Sequence, residues 1–384
     1  MPHLDSNRRR HINPDMKTKM KVTQMKFGSR SVCRSFISVS IACLCTTAMA
    51  QSSVTLYGII NPGITYLTNA SGNKDYLMVS GVTQPSRFGF LGSEDLGGGL
   101  KAVFRLENGF NVNDGTAGQG GRLFGRQAYV GLQHNLWGGL TIGYQYDFMR
   151  DDFVGVANGT STFNGYAFKM GDADRIAGER LANSVKYVSP LLAGIQFGAM
   201  YSFGGVPGSI TQNSAESFTV SYTASIAKVS AAYTTVRNAT QAFGIGVDVF
   251  GKSANAQIFD RIDIVGLGVE ANVASFDTHA IASLTDYKKN GQAAALRMLE
   301  FGVAKFVTPS ITLSGGYNYY LINGAHFNEV SLGVDYLLSK RTDLALVYGF
   351  LRGSAGTNPQ FYAAPAPSTS QTQQLVNISM RHSF

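Results

Sequence analysis

From Ser53 to the carboxyl terminus, apolar and polar residues alternate with period two, the spacing of strands whose two faces meet different surroundings. In residues 140–147, Leu140, Ile142, Tyr144 and Tyr146 share one face and Thr141, Gly143, Gln145 and Asp147 the other. Ile195, Phe197, Ala199 and Tyr201 repeat the pattern, as do Phe218, Val220 and Tyr222, then Leu313, Gly315, Tyr317 and Tyr319. Val330, Leu332, Val334 and Tyr336 alternate with Glu329, Ser331, Gly333 and Asp335, and the chain ends with Val376, Ile378, Met380, His382 and Phe384 on one face. Helical periodicity is scarce. Residues 262–273 and 298–306 are apolar on both faces, which leaves their phase open.

An alternating all-β chain is either a soluble sandwich or barrel with its apolar face inward, or a transmembrane barrel with its apolar face against lipid. Ionised and amide side chains lie mid-strand on the polar faces, where a wet lumen accommodates them. Many strands end in Tyr or Phe, as interfacial aromatic girdles do. Links near 95–99, 134–139, 190–194, 225–228, 274–277, 308–310 and 339–341 are short. Longer or irregular ones intervene at 69–85, 111–121, 150–180, 203–215, 237–261, 288–297, 322–326 and 352–372. Seven and eight links make fifteen, which join sixteen antiparallel strands. A lipid-embedded sheet tolerates no open edge, so the first strand should pair with the last, around 374–384.

The amino-terminal 50 residues change the charge picture. They hold nine of the 32 Lys and Arg residues and two of the 24 acids, so the remainder carries 23 − 22 = +1 rather than +8. A nucleic-acid partner loses its electrostatic basis. Cys33, Cys43 and Cys45 all fall in this stretch, which leaves no disulfide, thiolate metal site or cysteine nucleophile beyond it. Residues 25–50 read as a secretory signal peptide: a basic start, an apolar run from Phe36 to Thr47, and cleavage after Ala48-Met49-Ala50, before Gln51. Residues 1–24 read as an over-called start or leader extension, and 51–384 as one barrel domain.

Several ordered motifs then carry a resemblance. SVTLYG at 53–58, SRFGFLGSEDLG at 86–97, GRQAYVGL at 125–132, NSVKY at 183–187, LSKRTDL at 338–344 and the ending RHSF at 381–384 resemble the general diffusion porins of Gram-negative outer membranes, of the β-proteobacterial type. The resemblance implies an outer-membrane homotrimer of 16-stranded barrels embedded among lipid and lipopolysaccharide. Each barrel would have its own pore, narrowed by the infolded third loop, here 150–180. It also implies that Phe384 is the signal read by the barrel-assembly machinery. The implied activity is passive diffusion of ions and small hydrophilic solutes, without a cofactor.

Strand phase turns Arg87, Lys101, Arg105, Arg126 and Lys186 to the lumen as a basic wall; Arg87, Arg126 and Lys186 match the family's constriction by motif. Glu107 on the wall and Asp151, Asp152, Asp172, Asp174 and Glu179 in the loop are the expected acidic side. Rings of charge bias which ion enters, and the expected outcome is a mild anion preference. A barrel hydrolase is one alternative, yet His134, His279, His326 and His382 are scattered along the chain. The other is an adhesin or receptor barrel. Glycines 97–99 lack phosphate-loop spacing and read as a turn.

Overall fold

The computed structural model describes residues 52–168 and 170–384. The signal peptide, its Ala50/Gln51 cleavage point and the 1–24 extension lie outside the described residues. Eighteen strand segments form one sheet. Two pairs of segments are halves of longer strands: Ser53–Ile60 continues as Pro62–Ala70, and Asn73–Ser80 continues as Arg87–Gly97. Sixteen antiparallel strands therefore form the wall.

The wall closes. Gly63 pairs with Ser379 and Ile59 with Ser383, joining the first strand to the last, Thr372–Ser383. Phe384 completes the seam by exchanging backbone hydrogen bonds of 3.1 and 3.2 Å with Gly58. A Cβ on Gly58 would lie 2.3 Å from the Phe384 ring, so the seam needs glycine there. Closure leaves no unpaired edge to desolvate, the condition for a sheet in hydrocarbon.

The alternation resolves as apolar outward. Ile378 is 61% and Phe301 53% exposed, while Asn377 and Glu300 beside them are buried. No helix among the described residues is long and apolar enough to cross a membrane, so any crossing is made by strands.

Three expected long links are tight turns instead. Asn73–Ser80 is a strand that follows a turn at Ser71 and Gly72. The pairs Asn290-Gly291 and Asn323-Gly324 join consecutive strands, with φ of 50° and 75° in the first and 50° and 81° in the second. Both residues of such a hairpin turn need positive φ, which Asn and Gly supply at low cost. The contrast between short and long links therefore holds for five of the eight.

The expected phase of Tyr146 also fails. Gly143 pairs with Ser184 and Gln145 with Leu181, so the bulge lies on the partner strand Arg180–Val188, where Asn183 adopts φ 50°. Tyr146 ends the strand Gly138–Tyr146 and turns inward with Gln145 beside it, where it is 4% exposed.

The open phases at 262–273 and 298–306 now have a cause. Ile262, Ile264 and Met298 face inward yet are buried. The chain between Tyr146 and Arg180 folds inside the barrel through the short helices Phe148–Phe153 and Asn158–Ser161 and covers them. Gly266 and Gly268 make room for Met149 and Phe153, since a Cβ at either would lie within 2.8 Å of them.

Candidate pore constriction

Asn158 holds the infolded loop to the wall. Its backbone N–H donates to Glu300, and its amide donates to the carbonyls of Phe301 (3.1 Å) and Tyr317 (3.3 Å) and to Asn318 Oδ1 (2.8 Å). Thr162 Oγ1 lies 2.8 Å from Ser331 Oγ, and the Ser217 hydroxyl accepts the Phe148 N–H at 3.1 Å. These ties are buried and specific, and with the Gly165 N–H on the Val82 carbonyl at 2.8 Å and Tyr166 beside Thr65 they fix the loop inside the barrel.

Arginines gather around Glu107 and Tyr146. Arg126 Nε donates to Glu107 Oε1 at 2.7 Å, and Arg87 Nε lies 3.6 Å from Glu107 Oε2. The Tyr57 hydroxyl donates to the same carboxylate at 2.7 Å. Arg105, two residues before Glu107 on the same strand face, places its guanidinium 5.4 Å from the Tyr57 ring centre. Arg150 and Arg180 lie over the Tyr146 ring at 4.1 and 4.7 Å, and Arg180 donates to its hydroxyl at 2.8 Å. Among the described residues, the ion pairs of these five arginines all go to Glu107. Arginines thus outnumber the carboxylate they surround, although Asp172 and Glu179 also lie close to Arg150 and Arg180.

The remaining predicted basic residues stand apart from this group. Lys101 is exposed beside the Gly97–Gly99 turn, at the far end of its strand from Glu107. Lys186 pairs with Asp151 and donates to the Tyr146 carbonyl at 2.9 Å, which largely cancels its charge.

The expected acidic side is corrected in part. Asp172 is buried and accepts the backbone N–H groups of Ala177 (2.8 Å) and Gly178 (3.1 Å), shaping the loop from within. Burial, reinforced by Glu179 and Asp174 nearby, holds its carboxyl well above the usual range. Asp174 accepts from Ser283 at 2.9 Å and fastens the loop to the wall. Neither presents a free charge to the lumen. Asp152 accepts from Thr219 and lies 3.8 Å from Lys228; burial raises its carboxyl too. Glu179 lines a small cleft with Arg175 and Gln241. Asp151 stays exposed.

Sequence reasoning missed Arg150, Arg180, Tyr57 and Tyr146. The two arginines bound the loop and could have been read as its charged hinges; Tyr146 was hidden by its place at the strand end, where alternation stops. The histidines stay dispersed: His134 stacks on Trp137, His279 lies 3.1 Å from Glu300, and His382 Nδ1 lies 2.9 Å from Thr342 Oγ1. No group of three metal-ligating side chains occurs among the described residues.

A closed barrel with an apolar outer face, an infolded loop and an arginine cluster inside it defines an outer-membrane channel of the porin class. A family model described as Gram-negative porin matches residues 38–356, and the chain belongs to that family. It is an outer-membrane barrel for the passive diffusion of ions and small hydrophilic solutes. An outer membrane porin protein of Bordetella pertussis is 41% identical over 170 residues, covering 41% of this chain and 44% of that protein. Outer membrane porin protein 32 of Delftia acidovorans is 27% identical across 91% of this chain and 99% of its own length. Among solved structures, an anion-selective porin from Comamonas acidovorans superposes with a TM-score of 0.75 at 22% identity, covering 87% of this chain and 100% of that one.

Proposed function

We propose that the pore passes anions in preference to cations, and that Arg87, Arg105, Arg126, Arg150 and Arg180 set this preference. The observation that carries the reading is the unbalanced cluster, whose ion pairs all go to Glu107. Low-dielectric walls concentrate such a field in the open lumen. The Comamonas structure that shares the fold is titled anion-selective, which agrees in sign.

The working unit in this reading is a homotrimer seated among lipid and lipopolysaccharide, with Phe384 as the terminal aromatic recognised by the assembly machinery. A porin-fold protein of Vibrio cholerae has been solved in a trimer form. Phe384 adds two backbone hydrogen bonds to Gly58 at the closing seam, which suits a role in assembly.

Purified protein in a planar bilayer under a salt gradient tests the proposal. Open steps in groups of three with a reversal potential toward the anion are expected. A reversal potential on the cation side overturns the selectivity, and bilayers that stay silent with folded protein overturn the pore.

A further inference from the structure

The outward face of the wall carries positive charge at one end only. Arg237, Arg261, Lys288, Arg297 and Arg352 all stand on the phase that elsewhere exposes Val265, Leu299 and Leu346, and all lie toward the loop ends of their strands. At the turn ends of the same strands, Lys305 is the one basic residue on that phase among the described residues. Three of the five are balanced. Arg237 Nη1 meets Glu216 Oε1 at 2.9 Å, while Arg261 Nε and Lys288 Nζ share Asp263 Oδ2 at 2.9 and 2.6 Å. Arg297 and Arg352 differ: both are exposed, and among the described residues neither is ion-paired. Arg297 stands opposite Leu284 and Leu321, and Arg352 opposite Asn328.

One strand fixes the depth of this row. Arg297 and Lys305 bracket Leu299, Phe301 and Val303 on its outward face. That length of strand, at a rise of ~3.3 Å per residue and a tilt of ~40°, covers about 20 Å of depth. Long side chains reaching outward from both edges bring this to the ~25 Å apolar belt of such barrels. Arg297 therefore sits at head-group level on the loop side. Between it and Arg352, Tyr319 stacks on His326 at 6.5 Å and the Tyr317 hydroxyl donates to Asn328 at 2.6 Å, amphipathic rings of the kind found at that level.

We infer that the arc from Arg237 to Arg352 docks the phosphates of the outer-leaflet glycolipid, with Arg297 and Arg352 as the direct phosphate contacts. The inference rests on the reading that the barrel sits among lipopolysaccharide, and it names the residues that hold that lipid. Charge complementarity carries it. Anchors that only positioned the barrel in a bilayer would be needed at both edges of the belt, whereas the cations crowd the loop-side edge, so their partner belongs to one leaflet. A guanidinium presents its donors in a planar fork that fits phosphate oxygens, and an exposed arginine without an acid beside it keeps that fork available.

Equilibrium binding of a fluorescent bisphosphorylated lipid A to the protein in neutral detergent micelles tests it. Wild type, Arg297→Gln, Arg352→Gln and Lys305→Gln are compared, each checked as a heat-modifiable folded band. Each arginine variant should bind about fivefold more weakly, and Lys305→Gln, at the other edge of the belt, should bind as wild type does. Lipid A stripped of its phosphates should bind wild type and the arginine variants alike. If one arginine variant does not fold, the other decides. Folded arginine variants that bind the intact lipid like wild type overturn the arc and leave the outer-membrane seat standing. Phosphatidylglycerol that displaces the label as well as unlabelled lipid A does would overturn the glycolipid as the partner. Wild type that binds no lipid A overturns the seat among lipopolysaccharide itself.

Discussion

Glu107 is the point at which the selectivity argument can be made quantitative. Its carboxylate meets Arg126 at 2.7 Å and Arg87 at 3.6 Å, so Glu107→Gln removes one negative charge from the centre of the cluster and little volume. An ion on the pore axis about 7 Å away would feel that unit charge with roughly 0.6 kcal/mol in water. Screening at 0.1 M salt, with a Debye length of ~10 Å, reduces this to about 0.3 kcal/mol. Half of RT raises the anion's local concentration and lowers the cation's by ~1.6-fold each, so the permeability ratio should move about threefold toward anions. Reversal potentials at 0.1 M mean salt measure the ratio directly, and the shift should shrink at 1 M, where the Debye length falls to ~3 Å. A shift toward cations, or none at low salt in a folded channel, would refute the assignment of selectivity to this cluster.

Three further outcomes follow from the same geometry. Asn158→Ala strips three wall acceptors of their donor, at a cost of about 1–3 kcal/mol for each group left buried and unpaired; single-channel recordings should show raised open-state noise, and a trace as quiet as wild type counts against the anchor. Gly143→Val places a Cβ 2.2 Å from the Ala128 carbonyl at a φ of 147°, so the yield of folded, heat-modifiable barrel should collapse; normal yield would mean the two strands can separate there without loss of the wall. The Asp172 carboxyl is held above its ordinary range by burial, which makes its protonated form the one favoured by the docked loop. Its contribution is therefore fully present below the unfolded carboxylate pKa and is lost as pH rises through the raised native value. Hydrogen exchange across 170–178 should accelerate over that rise, and protection that grows with pH contradicts the sign.

Local patterns carried the wall and failed where a distant segment intervened. Val376, Ile378 and Met380 face outward as alternation requires, because a strand between two media sorts its faces residue by residue. The Asn-Gly pairs at 290–291 and 323–324 were equally local signals, and weighing them as hairpin turns would have shortened two links correctly. Ile262 and Ile264 gave no such signal. Their inward apolar side chains make sense only once Met149 and Phe153 arrive from more than a hundred residues upstream. Tyr146 failed for a different reason: it is the last residue of its strand, where the chain turns inward into the loop and alternation ends.

The same distinction governs the site. Arg87, Arg105, Arg126 and Glu107 lie on neighbouring strands, so phase alone brought them together. The loop acids were read as charges facing that wall, but an acid on a segment packed inside a barrel has two uses. Asp172 and Asp174 ended as acceptors for the loop's own N–H groups and for Ser283, because burying a carboxylate without such partners costs far more than the field it would provide. Arg150 and Arg180, at the two ends of the loop, both rest on the Tyr146 ring. Infolding therefore sorts the loop's charges by partner: its buried acids take N–H and hydroxyl donors, Arg175 takes Asp147, and Arg150 and Arg180 take the face of Tyr146.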